Sequence, residues 1–144
     1  MKLTEHFSFE ELTRTDHRKF ADRNSEEGMN HIPELRRLAD FAEGLRMVLN
    51  VPLQVTSGYR CAELNRAVGG SATSQHCCCE AIDFVPLGLC VVREAFVRLK
   101  NSNAAFGQLI LEKRDGGFII HAGMGTKRQL LYSPRAGAYE PWKE

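Results

Sequence analysis

The segment that decides the fold is residues 74–85, which read Ser74-Gln75-His76-Cys77-Cys78-Cys79-Glu80-Ala81-Ile82-Asp83-Phe84-Val85. Its second half, from Ala81 to Val85, is an almost wholly apolar run, which predicts a buried β-strand. Asp83 places a carboxylate inside that strand, and such a group is costly to bury unless it is paired, hydrogen-bonded or bound to a metal. His76 precedes Asp83 by seven residues. A histidine and an aspartate brought together by a loop can supply two of the three protein ligands of an open zinc site. The same spacing also fits a purely structural pair.

His121 is the best candidate for a third ligand. It is a polar residue in a second apolar strand, residues 118–122. A histidine in such a strand is also consistent with a hydrogen-bonded core residue. The strand that precedes it along the chain favours the metal-binding interpretation, because that strand ends in a carboxylate.

That carboxylate belongs to Glu112, and a β-hairpin is predicted to bring it beside His121. If Gly116-Gly117 makes the turn, Glu112 lies directly opposite His121. If Asp115-Gly116 makes the turn, Glu112 is diagonal to His121. Side chains alternate along a strand, so both registers keep the two residues on one face. A carboxylate beside a metal ligand suits zinc hydrolysis, in which Glu112 would act as the general base.

Hydrophobic periodicity over the rest of the chain predicts an α+β fold, with an antiparallel β-sheet of about four strands flanked by helices. Ser8 and Glu11 fit a capping box that opens a short helix through Thr13. Residues 14–30 are polar and unpatterned, which predicts a loop. Apolar residues at three- and four-residue steps predict a long helix over residues 31–49. Further helical segments are predicted at 61–68 and 89–101, and strands at 53–56, 81–85, 106–112, 118–122 and 129–132.

Composition narrows the class of protein. The chain has 144 residues, of which 43% are hydrophobic and 26% charged, so wholesale disorder is excluded and a single domain over residues 1–144 is expected, as a monomer. The net charge of +1 gives no reason to expect a nucleic-acid partner. No apolar run approaches the length of about 20 residues that a membrane span needs, so no membrane insertion is expected. Residues 1–12 carry acids and lack an apolar core, which predicts no secretory signal and synthesis in the cytoplasm.

The five cysteines are an odd number, and three of them, Cys77, Cys78 and Cys79, are consecutive. Neighbours in sequence bridge poorly, so reduced and partly buried thiols are expected. A metal-thiolate site is the alternative. Zinc sites of that kind use spaced pairs of cysteines, and consecutive side chains point in alternating directions, so at most two of the three thiols could reach one ion.

The stretches Ser57-Gly58-Tyr59-Arg60 and 61–76, followed by Glu80–Phe84, resemble the M15 family of zinc peptidases. The similarity runs from Phe7 to the final strand and so covers nearly the whole chain, and it is strongest to the branch with phage endolysins and D-Ala-D-Ala-type carboxypeptidases. The family motif Ser-x-His-x-x-Gly-x-Ala-x-Asp corresponds here to residues 74–83, with cysteine in the glycine position.

The resemblance implies a hedgehog/DD-peptidase-like fold and a Zn²⁺ ion held by His76, Asp83 and His121. It implies that Arg60 faces the substrate, where a guanidinium would stabilise an oxyanion or hold a carboxylate, and that Ser74 and Gln75 orient the site or the substrate. From its place in the sequence alone, Arg60 also fits a surface arginine on a turn. The implied activity is hydrolysis of an amide bond in peptidoglycan stem peptides, of the D-Ala-D-Ala carboxypeptidase or L-Ala-D-Glu endopeptidase type. By analogy, the enzyme would reach the cell wall after release as a phage or prophage lysin.

Three positions depart from the family pattern. Cys79 adds a side chain where the family has glycine. Phe118 stands three residues before His121, where some branches carry the catalytic glutamate, and Ile119 replaces a frequent tryptophan. Glu112 is therefore the expected base. The alternative is a catalytically inactive zinc-binding module of the same fold that binds cell-wall peptides.

Overall fold

The computed structural model describes residues 1–88 and 90–144 and has the predicted α+β architecture. Three short 3₁₀ helices cover Arg18–Phe20, Met29–His31 and Gln75–Cys78. The helices are α1 (Phe9–Thr13), α2 (Ala21–Gly28), α3 (Ile32–Leu49), α4 (Ala62–Ala67) and α5 (Val92–Lys100). The strands are β1 (Leu53–Ser57), β2 (Ala81–Pro86), β3 (Gln108–Arg114), β4 (Gly117–Gly123), β5 (Gln129–Arg135) and β6 (Ala138–Pro141).

The sheet has six strands in the order β1-β2-β4-β3-β5-β6, so the prediction of about four strands was too low. Strand β6 was missed because it is short, follows a glycine turn and ends in proline. The sheet is also not wholly antiparallel, since β3 pairs with β5 in parallel. That pairing follows from the chain path: β4 reverses direction after β3, and β5 reverses again before it joins the other edge of β3.

The chain forms two compact units. The first comprises Met1–Glu43 and Val55–Ile82, and the second comprises Gly44–Gln54 and Asp83–Glu144. The unit boundaries fall within α3, β1 and β2. The interpretation of residues 1–144 as one domain stays a prediction.

In the first unit, the predicted loop over residues 14–30 is wrong, because most of it is helical. Helix α2 escaped detection since its buried residues are Asn24 and Gly28, neither of which gives a hydrophobic signal. Gly28 is needed for the contact with α1, because a Cβ atom there would lie 2.7 Å from Thr13 Cγ2. The capping box of α1 is confirmed: Ser8 Oγ accepts a hydrogen bond from the Glu11 backbone N–H at 3.1 Å, and the Glu11 side chain reaches back to the Ser8 backbone N–H at 3.2 Å.

In the second unit, the hairpin of β3 and β4 has the second of the two predicted registers. Arg114 pairs with Gly117, so the turn is Asp115-Gly116, and Glu112 pairs with Ile119. Helix α5 packs against this hairpin, and its Phe96 and Leu99 are fully buried. The helix was predicted to begin at residue 89, which lies outside the described residues, and the structure begins it at Val92.

Across the two described ranges, no helix combines the length and apolar character that crossing a bilayer requires.

The contacts of Glu43 make the stability of the first unit depend on pH, and this dependence can be tested. Its carboxylate accepts hydrogen bonds from Thr4 Oγ1 at 2.8 Å and from the His6 backbone N–H at 2.7 Å, and it contacts His6 Nδ1 at 2.8 Å. Burial alone would raise the pKa of Glu43, but the hydrogen bonds from His6 and Thr4 hold it below its ordinary value of 4.5. The folded state therefore binds this proton less readily than the unfolded state. The stabilisation is present above pH 4.5 and is lost as the pH falls through the lowered pKa.

We expect Glu43→Gln to reduce the free energy of unfolding at pH 7. Below pH 4.5, the free energy of unfolding of this variant should fall less with decreasing pH than that of the wild type. Urea denaturation at several pH values measures both effects. Glu26→Gln, which changes an exposed carboxylate in α2, is the control. Equal acid sensitivity of Glu43→Gln and the wild type would contradict this assignment.

Candidate metal centre

His76 is held by a side-chain hydroxyl and a backbone carbonyl of its own unit. Ser74 caps the 3₁₀ helix that carries it, since Ser74 Oγ accepts a hydrogen bond from the His76 N–H at 3.2 Å. The His76 ring is buried, with 2% of the residue exposed, and its Nδ1 lies 2.7 Å from the Gly58 carbonyl oxygen. A carbonyl can only accept, so Nδ1 carries the proton and Nε2 is the ligand atom that the ring can offer. A backbone carbonyl that orients a histidine in this way is typical of metal-binding histidines.

Asp83 and His121 meet in the second unit. Asp83 Oδ1 lies 2.9 Å from His121 Nδ1, and the side chains are 19% and 12% exposed, respectively. The contact explains how a carboxylate is tolerated between the fully buried Ile82 and Phe84. The separation fits a hydrogen bond, and it is also close to the spacing of roughly 3.3 Å between two tetrahedral ligands of one zinc ion.

His76, Asp83 and His121 form one group of metal-ligating side chains. One ligand atom from each lies within 4.8 Å of the others. Two imidazoles and one carboxylate match the ligand types of catalytic zinc sites, which use three protein ligands and keep a fourth position open. The donor chemistry therefore fits the predicted zinc ion, and the role of the three residues as its ligands stays a prediction.

The consecutive cysteines do not belong to this group. Cys78 is exposed, and within residues 1–88 and 90–144 no cysteine takes part in a cluster of three potential ligands. Burial, together with the nearby charge of Glu34, raises the pKa of the Cys79 thiol to about 12. The arrangement gives no support to a metal-thiolate site.

Cys79 occupies a backbone conformation that suits glycine. Its φ of 58° and ψ of 38° lie in the left-handed region, which glycine, the residue at this position in the family motif, adopts readily. A residue with a Cβ atom pays about 1–2 kcal/mol for this conformation. The conformation is retained because the Cys79 N–H and the Glu80 N–H both donate to backbone carbonyls of the 3₁₀ helix.

Glu112 lies on the same face of the hairpin as His121, diagonal to it across the β3–β4 pair. Its carboxylate is ion-paired with Arg114, with Glu112 Oε2 3.4 Å from Arg114 Nη2. Arg114 is anchored in turn by the fully buried Ser133, whose Oγ lies 3.2 Å from both Nη atoms. Sequence analysis missed Arg114 and Ser133. The two-residue spacing of Glu112 and Arg114 could have indicated their pairing, whereas nothing in the sequence marks Ser133.

Arg60 and Ser74 are in contact in the first unit. Arg60 Nη2 lies 3.3 Å from Ser74 Oγ, and the Arg60 backbone N–H donates to the His76 carbonyl at 3.1 Å. Gln75 precedes His76 in the 3₁₀ helix, and its carbonyl accepts the Glu80 N–H at 2.9 Å. The roles of all three residues in substrate binding stay predictions.

Phe118 does not share the face of His121. It is three residues away along β4, so its side chain points to the opposite side of the sheet, where the Arg93 guanidinium of α5 lies 5.1 Å from the ring centroid. Ile119 does share that face and lies opposite Glu112. The ring of Phe118 therefore packs on the α5 side of β4 and does not lie beside His121.

Comparison with known protein families gives a match over most of the chain. The sequence pattern of the family described as Peptidase M15 matches residues 5–121, a range that includes His76, Asp83, Glu112 and His121. Among curated proteins, none matches the chain.

At position 79, glycine is predicted to be more stabilising than alanine, which is the reverse of their usual order. Cys79→Ala and Cys79→Gly both remove the buried thiol, but only glycine relieves the left-handed strain. We expect the glycine variant to be more stable than the alanine variant by about 1 kcal/mol in urea denaturation, the reverse of the usual order. At Gly44, inside helix α3, alanine should instead be the more stable residue, which makes Gly44→Ala the control. A more stable alanine variant at position 79 would contradict the strain assignment.

The ligand group predicts which substitutions affect metal content. The double variant Cys77→Ser/Cys78→Ser should retain the zinc content of the wild type, whereas Asp83→Ala and His121→Ala should lose most of it because each removes a ligand atom. Elemental analysis after dialysis against dilute zinc measures the difference, and circular dichroism checks the fold. Loss of metal from the cysteine variant would restore the thiolate hypothesis.

Proposed function

The chain belongs to the peptidase M15 family, and we propose that it is a zinc-dependent peptidase that hydrolyses an amide bond in the stem peptides of peptidoglycan. The observation that carries the proposal is the group of His76, Asp83 and His121 within the matched range. Its donor set suits an ion that keeps one position open for a reactant.

A zinc ion bound there would supply Lewis acidity, which polarises the scissile carbonyl and lowers the pKa of water. In the proposed reaction, Glu112 accepts a proton from the attacking water and later returns it to the leaving amine. The ion pair with Arg114 keeps the Glu112 carboxylate oriented on the face that it shares with His121.

Arg60 is proposed to bind negative charge on the substrate. Its Nε–H is buried and has no hydrogen-bond partner among residues 1–88 and 90–144. The guanidinium is always charged, and its planar arrangement of N–H donors matches the geometry of a carboxylate or an oxyanion. Two groups of the substrate have the required charge: the oxygen of the scissile carbonyl as it becomes an oxyanion, and the carboxylates of a stem peptide.

Glu112 is the residue that separates an active peptidase from an inactive peptide-binding module. Glu112→Gln should keep the fold and the zinc content but lower the rate of hydrolysis roughly 10²–10⁴-fold, the usual contribution of general acid–base catalysis. The measurement is mass spectrometry of the fragments released from purified peptidoglycan by the zinc-loaded protein, which also identifies the bond that is cut.

Asp115→Asn is the matched control, since it neutralises the exposed carboxylate at the turn of the same hairpin. It should leave the rate unchanged. Zinc-loaded wild-type protein that releases no fragment would reject the proposed activity and leave the binding module as the better hypothesis. Equal rates for Glu112→Gln and the wild type would show that another residue is the base.

A further inference from the structure

We propose that Asn24 is a positioning residue for Arg60, and this inference rests on the proposed function of Arg60. Asn24 is fully buried in helix α2 and uses its side-chain amide entirely on backbone groups. Its Nδ2 donates to the Tyr59 carbonyl at 3.0 Å, and its Oδ1 accepts the Cys61 N–H at 2.8 Å. The same Nδ2 donates to the Thr13 carbonyl at 2.7 Å.

Two of the three backbone groups that Asn24 binds, the Tyr59 carbonyl and the Cys61 N–H, flank the Arg60 Cα atom. The Tyr59 carbonyl belongs to the peptide unit before Arg60, and the Cys61 N–H belongs to the peptide unit after it. One rigid amide therefore fixes both peptide planes, and with them the φ and ψ angles of Arg60. Those angles set the direction in which the Arg60 side chain leaves the backbone.

Other backbone hydrogen bonds among the described residues hold the same segment, but none of them binds the Tyr59 carbonyl or the Cys61 N–H in place of Asn24. The Tyr59 N–H donates to the Leu12 carbonyl at 2.8 Å, and the Arg60 N–H donates to the His76 carbonyl at 3.1 Å. These bonds place the segment against α1 and beside His76. With Asn24 removed, the Cys61 N–H loses its bond, and both the Tyr59 and Thr13 carbonyls lose their side-chain donor.

Isosteric replacement separates the two halves of the amide. Asn24→Asp keeps an acceptor for the Cys61 N–H but turns the other oxygen toward two carbonyl oxygens. Asn24→Ala removes both halves and preserves helix propensity. Asn30→Ala changes an exposed asparagine nearby and is the matched control.

The first test needs no activity. We expect Asn24→Ala to speed hydrogen exchange of the Cys61 amide by about 10-fold or more while amides of α3 keep their wild-type rates. The NMR order parameter of the Arg60 Nε–H should fall toward the flexible range, below about 0.6. Asn30→Ala should change neither value. Wild-type rates and order parameters in Asn24→Ala would overturn the proposal.

The second test is a double-mutant cycle with Arg60→Ala. Asn24→Ala alone should lower kcat/KM by about 10–100-fold, since a small displacement of a substrate-binding group is enough for such a loss. In the Arg60→Ala background the same change should have an effect of less than about 2-fold. Full additivity of the two losses would show that Asn24 acts only on general stability, and it would reject the positioning role.

The two tests fail separately. If the wild type cleaves no peptide, the proposed function fails, and the exchange rates and order parameter still decide whether Asn24 orients Arg60. If Asn24→Ala does not fold, the same measurements are made on Asn24→Asp and on the wild type. The Asn24 side-chain amide protons of the wild type should then be protected to the same degree as the Cys61 amide. Unprotected Asn24 amide protons would overturn the proposal.

Discussion

A carboxylate in an apolar strand is the constraint on which this structure depends. Asp83 stands between two fully buried residues, where an uncompensated charge would cost several kcal/mol. The compensation comes from His121, which the β3–β4 hairpin places 2.9 Å away. The hairpin register is therefore part of the solution, because a slip by one residue would turn His121 to the face occupied by Phe118. The same contact between Asp83 and His121 stabilises the strand and brings two of the proposed metal ligands together.

The sequence allowed a good prediction where the signal was periodic or chemical. The long apolar stripe of α3 and the Ser8–Glu11 capping box gave helices close to their observed bounds. The hairpin was predicted through the alternation of side chains, which does not depend on which of two turns is used. Asp83 and His121 were proposed as ligands because polar groups in apolar strands need an explanation, and His76 because it precedes Asp83 by seven residues; neither argument uses tertiary information.

The remainder could not be predicted because it depends on contacts between distant segments. Helix α2 buries a glycine and an asparagine, so its interior face has no hydrophobic signature, and the need for a glycine there is visible only from the close approach of α1. Ser133 and Asn24 are ordinary polar residues in sequence, and their importance comes from what they meet after folding: a guanidinium in one case, and three backbone groups in the other. The strained Cys79 illustrates the opposite case, in which the family motif marks the position and the backbone explains why glycine suits it.

The short sixth strand has a consequence for the behaviour of the protein at high concentration. Strand β6 forms one edge of the sheet, contains four residues and ends in Pro141, which has no N–H to offer a neighbour. Glu140 adds a charge to the same edge. Long flat edges with unpaired backbone groups recruit strands from other molecules and lead to aggregation, whereas short, charged, proline-containing edges resist it. The C-terminal residues therefore protect the adjacent strand β5 from intermolecular pairing, so a shortened chain that ends before Ala138 exposes a longer strand to other copies of the protein.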